Sequence, residues 1–147
     1  MTLDTIDHRI IELLTADGCM SINELAGEIN LARATAYARV ERLKAAGVIT
    51  GFTVTVDPEK LGYGVAALVL VNLEQGRWQE IRDEVLLLPG LEYLAFTSGG
   101  FDLVLLVRLP AISDLRDVVL VRLHDIAGIR TTQTIFVLDE ARSVARP

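Results

Sequence analysis

The 147-residue sequence is poor in several things, and each shortage excludes a class of function. One cysteine, Cys19, leaves no intrachain disulfide and no cysteine-cluster metal site. Two histidines, His8 and His124, are too few for a histidine-rich metal centre, and both read as helix-face or surface residues. The longest unbroken apolar run, Val65 to Val71, is seven residues, too short to span a bilayer. Residues 1–7 lack a positive region followed by an apolar block, so no signal peptide is expected. No Ser/His/Asp set, phosphate-cradling glycine loop or dinucleotide fingerprint occurs, and neither a catalytic site nor a cofactor is expected. With 51% hydrophobic residues the chain is also too apolar for disorder. The expectation is a compact, soluble, cytoplasmic protein of one domain or two small ones.

Positive charge is scarce as well. The net charge is −6, split evenly at Lys60: six Lys/Arg against nine Asp/Glu before it, eight against eleven after. Between Ala32 and Ala46, however, Arg33, Arg39, Arg42 and Lys44 face only Glu41, a local +3. Local charge, not the total, is what meets a phosphate.

The first half reads as short helices. Asp4 caps a helix whose Ile6, Ile10, Leu13 and Leu14 share one face, ended by Asp17-Gly18. Ser21 and Glu24 form a capping box for a second helix carrying Leu25 and Ile29. After Asn30-Leu31 a third runs to Ala46 with Ala36, Val40 and Leu43 inward and Gly47 as its stop. Alternation from Val48 to Val56 around Gly51 predicts a small hairpin. Three helices and a hairpin make a winged helix-turn-helix.

Asp57 to Gly62 breaks the pattern and reads as a link, giving a domain at 1–60 and another at 61–147. The second half predicts strands at 65–73, 91–97, 101–109 and 129–138, with helices at 78–88 and from Ser113 or Asp114. Trp78 reads as packing, and Asp83-Glu84 and Asp139-Glu140 as surface charge. The order βαββαβ is the ferredoxin-like, split-βαβ unit, so the fold class is α+β. One sheet face stays uncovered in a monomer, and its apolar strands predict contact with a second subunit.

In this order and spacing the chain resembles the Lrp/AsnC (feast/famine) family of transcription regulators over essentially its whole length. The resemblance rests on Leu3 to Asp7 with Ile10, Leu14 and Asp17-Gly18; on Leu25-Ala26; and on Arg39 to Leu43 with Gly47-Val48-Ile49. It continues in Asp57-Pro58, Leu61-Gly62, Pro89-Gly90, Gly99, Asp102, Gly128-Ile129, Thr132 and Thr134. It implies a sequence-specific regulator that binds double-stranded DNA as a homodimer, assembling further into tetramers or octamers. A small-molecule effector, an amino acid or a relative of one, would act by changing how dimers pack. Three departures stand out. Leu31-Ala32 lacks the usual serine cap, which costs ~1 kcal/mol; Cys19 replaces an arginine; and Gly99-Gly100-Phe101-Asp102 keeps one of two aspartates.

Two sites follow. Arg33, Thr35, Tyr37 and Arg39 lie off the buried stripe of the third helix and suit base edges, while Arg42 and Lys44 suit the DNA backbone. The turn Thr97-Ser98-Gly99-Gly100-Phe101-Asp102 offers open backbone amides for a carboxylate and Asp102 for an ammonium, with Thr132, Gln133 and Thr134 adding hydrogen bonds. A single carboxylate there favours a neutral amino acid over lysine or arginine. The plainer alternative is a tight turn whose glycines supply positive φ. Another alternative is a tetrapyrrole (siroheme) decarboxylase of similar architecture, which would need histidines or arginines lining a pocket.

Overall fold

The computed structural model describes residues 2–74 and 76–141, which fall into two compact units, one running to Thr55 and one over Val56–Glu140.

The first unit holds α1 (Thr5–Ala16), α2 (Ile22–Glu28) and α3 (Arg33–Ala45). Caps set their starts. The Asp4 carboxylate accepts the Asp7 N–H at 2.8 Å and the Asp7 carboxylate accepts the Asp4 N–H at 3.2 Å. This is a capping box with aspartate where glutamate is usual. Ser21 and Glu24 form the expected box on α2. α3 starts after Ala32 with no side-chain cap, and it ends in a Schellman motif: Gly47 N–H donates to Lys44 O and Val48 N–H to Leu43 O, both at 3.0 Å. The turn between α2 and α3 passes through Asn30 at φ +53°, which asparagine tolerates. Ile10, Leu25, Val40 and Leu43 close the core of this unit.

The expected hairpin over Val48–Val56 is not formed. No strand is assigned there, and among the described residues no ladder hydrogen bond ties the segment. Phe52, Val54 and Val56 are exposed. A lone two-stranded ribbon is marginal in water unless an apolar face packs on something.

The second unit holds β1 (Val65–Leu73), α4 (Trp78–Val85), β2 (Leu91–Phe96), β3 (Leu103–Leu109), α5 (Ile112–Asp117), a π-helical turn (Val118–Arg122), α6 (Leu123–Asp125) and β4 (Ile129–Phe136). The strands form one antiparallel sheet in the order β2-β3-β1-β4, the arrangement of a split βαβ fold. Alternate residues Ala67, Val69, Val71 and Leu73 of β1, with Leu103, Leu105, Val107 and Leu109 of β3, meet Ile81, Val85, Leu115, Val118 and Leu123 from the helices. The opposite face carries the half-buried Leu68, Leu70, Val104 and Leu106 and the exposed Tyr93 and Ile135. Asp57 to Gly62 is an ordered turn of this unit: Asp57 Oδ1 accepts the Glu59 N–H at 3.1 Å, and Tyr63 N–H reaches Pro58 O at 2.9 Å.

Arg108 also points to that opposite face, yet only 8% of it is exposed. Its Nε donates to Glu92 at 2.8 Å and its Nη2 to Glu140 at 2.7 Å. Glu140, expected as surface charge, is therefore one arm of a part-buried ion triad. Glu92 beside it raises the Arg108 pKa; burial opposes this, and Glu140 adds to the rise.

Candidate functional site

α3 presents two faces because its sequence does. Ala36, Val40 and Leu43 are buried, while Arg33, Ala34, Thr35, Tyr37 and Ala38 are exposed. Arg33, Thr35 and Tyr37 are thus off the buried core, as expected, and the small Ala34 and Ala38 leave room for close approach.

The cations of α3 are less free than composition implies. Arg39 Nη1 contacts Asp4 Oδ2 at 2.7 Å and Asp7 Oδ1 at 2.8 Å. Arg42 Nη2 lies 2.6 Å from both Asp7 oxygens. Lys44 Nζ pairs with Glu41 at 2.8 Å, which raises the lysine pKa. Arg33 alone of the four makes no ion pair or hydrogen bond among the described residues. Arg39 holds the Asp4 carboxyl below its ordinary range, helped by the Asp7 N–H. Burial alone would push Asp7 up, but the Asp4 N–H and the two guanidinia outweigh it and keep it low. Both acids stay charged, and the +3 window loses two of its cations to partners some thirty residues upstream. Only the Asp4/Asp7 capping pattern hints at them in the sequence.

The turn from Thr97 to Asp102 joins β2 to β3. Thr97 N–H donates to Asp102 O at 2.9 Å and Thr97 Oγ1 to Phe101 O at 2.6 Å, closing the loop on itself. Ser98, Gly99 and Gly100 are exposed, and Gly99 sits at φ +143°, a conformation that side chains resist. The backbone amides of residues 98–101 have no partner among the described residues. The Asp102 carboxylate has one: Oδ2 accepts the Leu73 N–H at 2.8 Å, pinning the turn to the end of β1. On β4, Thr132 pairs with Val71 and Thr134 with Val69, placing both on the helix-covered face, whereas Gln133 pairs with Leu70 and lies on the other. His124 Nε2 is 3.4 Å from Thr132 Oγ1, a neighbour the sequence did not reveal.

Two open cavities, about 270 and 250 Å³, flank Pro58 and Tyr63, with Arg108 lining both. Neither is lined by any residue of the expected effector set. Among the described residues no group of His, Cys, Asp and Glu could hold a metal, and no helix is long and apolar enough to cross a membrane.

Residues 3–50 match the family described as winged helix-turn-helix DNA-binding, and residues 66–144 match the Lrp/AsnC ligand binding domain. The chain is 34% identical to the HTH-type transcriptional regulator FL11 of Pyrococcus furiosus, covering 92% of this chain and 89% of the relative. AsnC of E. coli superposes over 100% of both chains with a TM-score of 0.91 at 26% identity. The transcriptional regulator NMB0573 of Neisseria meningitidis, solved as an L-Met complex, superposes over 99% of this chain and 96% of that one (TM-score 0.88, 23% identity). A three-helix unit followed by a split-βαβ unit is the architecture that accounts for these matches. The chain belongs to the Lrp/AsnC family and is a helix-turn-helix, DNA-binding transcriptional regulator.

Proposed function

We propose that residues 1–60 bind double-stranded DNA through the outer face of α3 and that residues 61–147 bind an effector and oligomerise. In this reading Arg33, Thr35 and Tyr37 meet base edges and Arg42 and Lys44 the backbone; Arg39, expected at a base edge, joins the backbone group instead because Asp4 and Asp7 hold its guanidinium. The observation that carries it is the division of α3: Ala36, Val40 and Leu43 are locked in the core, while Arg33, Thr35 and Tyr37 are exposed and Arg33 is unpaired among the described residues. The protein works in the cytoplasm as a regulator without catalysis, and its two histidines, His8 and His124, belong to different units. A second copy covers the apolar sheet face of Leu68, Leu70, Val104 and Leu106, in an isologous dimer that assembles further into tetramers or octamers.

Selection from random duplexes is expected to yield an inverted repeat. Arg33→Ala is expected to weaken binding to it by about 1–3 kcal/mol per half-site and to relax base preference at one position. Equal affinity and equal preference in the variant would remove Arg33 from the interface.

The effector site is the Thr97–Asp102 turn together with Thr132 and Thr134; Gln133 faces the other side of the sheet. One Asp102 oxygen is occupied by Leu73, and the other is available to a ligand ammonium. A neutral amino acid suits a single carboxylate, and the Neisseria relative was solved with L-Met. Asp102→Asn keeps an oxygen for the Leu73 N–H and removes only the charge. Calorimetry is expected to show a neutral amino acid bound by wild type and its affinity lower by roughly 1.5–3 kcal/mol in the variant. Tight binding of lysine, or undiminished affinity in the variant, would contradict the assignment.

A further inference from the structure

The capping box at α1 needs only reciprocal contacts between Asp4 and Asp7. Asp7 does more. It has no exposed surface, and its Oδ1 accepts from Arg39 Nη1 at 2.8 Å and Arg42 Nη2 at 2.6 Å. Its Oδ2 accepts from Arg42 Nη2 at 2.6 Å and from the Asp4 N–H at 3.2 Å. Arg39 and Arg42 stand three apart on α3 and so lie on neighbouring turns of one face. One buried carboxylate therefore grips two cations of the DNA-facing helix at once. Arg42 uses only Nη2 in this grip and 47% of its side chain is exposed, so its other donors are uncommitted among the described residues.

Resting on the reading of α3 as the DNA-facing helix, we propose that Asp7 is a positioning and specificity-determining residue. It fixes the Arg39 and Arg42 guanidinia against the start of α1 and neutralises them until a correctly docked phosphate shares them.

Free arginines attract any duplex, because each neutralised phosphate releases counterions whatever its sequence. Arginines held by carboxylates gain less from a phosphate in the wrong place, since the contact must compete with Asp4 and Asp7. A phosphate in register needs no such exchange, because Arg42 offers it donors that Asp7 leaves unused. The acids thus depress binding to arbitrary DNA more than binding to the operator.

The test uses the full chain, the duplex it selects from a random pool, and a shuffled duplex of the same length, titrated across a sodium chloride series. Asp7→Asn and Asp4→Asn keep an oxygen acceptor for the cap and lose the charge. Asp7→Asn is expected to bind the shuffled duplex on the order of tenfold more tightly, with a salt slope steeper by about one to two per subunit. Its ratio of selected to shuffled affinity falls. Asp4→Asn moves the same quantities less, since Arg39 still has Asp7, and the charge-keeping Asp7→Glu stays near wild type on the shuffled duplex. A purely structural role would lower the melting temperature and leave slope and ratio unchanged. That result, in Asp4→Asn alone should Asp7→Asn fail to fold, overturns the proposal. A wild type that treats both duplexes alike overturns the α3 reading and this proposal with it.

Discussion

Gly90→Ala is expected to cost the C-terminal unit about 3–5 kcal/mol, enough to leave much of the population unfolded. Gly90 has φ +72°, which a side chain resists by roughly 1–2 kcal/mol. The larger part is contact. A methyl group there would collide with the Arg108 carbonyl oxygen and lie 2.7 Å from Leu109 Cδ2. That carbonyl cannot retreat cheaply, because the Arg108 N–H donates to Gly90 O at 2.7 Å and ties the entry of β2 to β3. Urea unfolding checks this against Gly100→Ala, where the added carbon meets nothing within 4 Å and a change within about 0.5 kcal/mol is expected. Equal midpoints for the two variants would mean that β3 yields without strain.

Arg108→Met is expected to cost about 3 kcal/mol. The methionine fills much of the same space, so the loss is electrostatic: Glu92 and Glu140 lose the guanidinium between them. Their side-chain exposures, 30% and 34%, allow partial rehydration, which places the value at the low end for a broken buried pair. Arg108→Lys should fall between, since an ammonium keeps the charge and loses the planar fork. Wild-type stability in Arg108→Met would show that the two glutamates are solvated in any case.

Local rules made much of the molecule readable. Asp4, Ser21 and Gly47 mark helix ends through backbone hydrogen bonds that each residue or its near neighbours complete, so the three helices stand where the sequence places them. β1 and β3 were readable as strands, but their nearly continuous apolar runs left open which residues face the helices, and the alternation of burial belongs to the fold. Pairing over distance was not readable. Alternation from Val48 to Val56 promised a strand but carried no information about a partner, and no hairpin formed. Arg39 and Arg42 were visible as charge, while the acids that hold them, Asp4 and Asp7, lie in another helix cap. Glu140 lay in an acidic pair, and only the register of β4 against β1 could bring it to Arg108. The same register separates Gln133 from Thr132 and Thr134. The π turn was hidden too: the Leu123 N–H reaches back five residues to Val118 O, so Val118, Val119 and Leu123 are all buried.

The central place of β1 has a consequence for the nascent chain. β1 is the first strand of its sheet to leave the ribosome, yet its neighbours are β3 and β4, and the β4 side closes only when Thr132 and Phe136 arrive to meet Val71 and Ala67. The helical unit ahead of it can form early from local contacts. The apolar run Val65–Val71 must wait, both edges unpaired, for on the order of seconds at ordinary rates of synthesis. During that interval the middle of the future sheet is the most aggregation-prone stretch in the chain, so slower elongation past residue 73 would lengthen its dependence on chaperones.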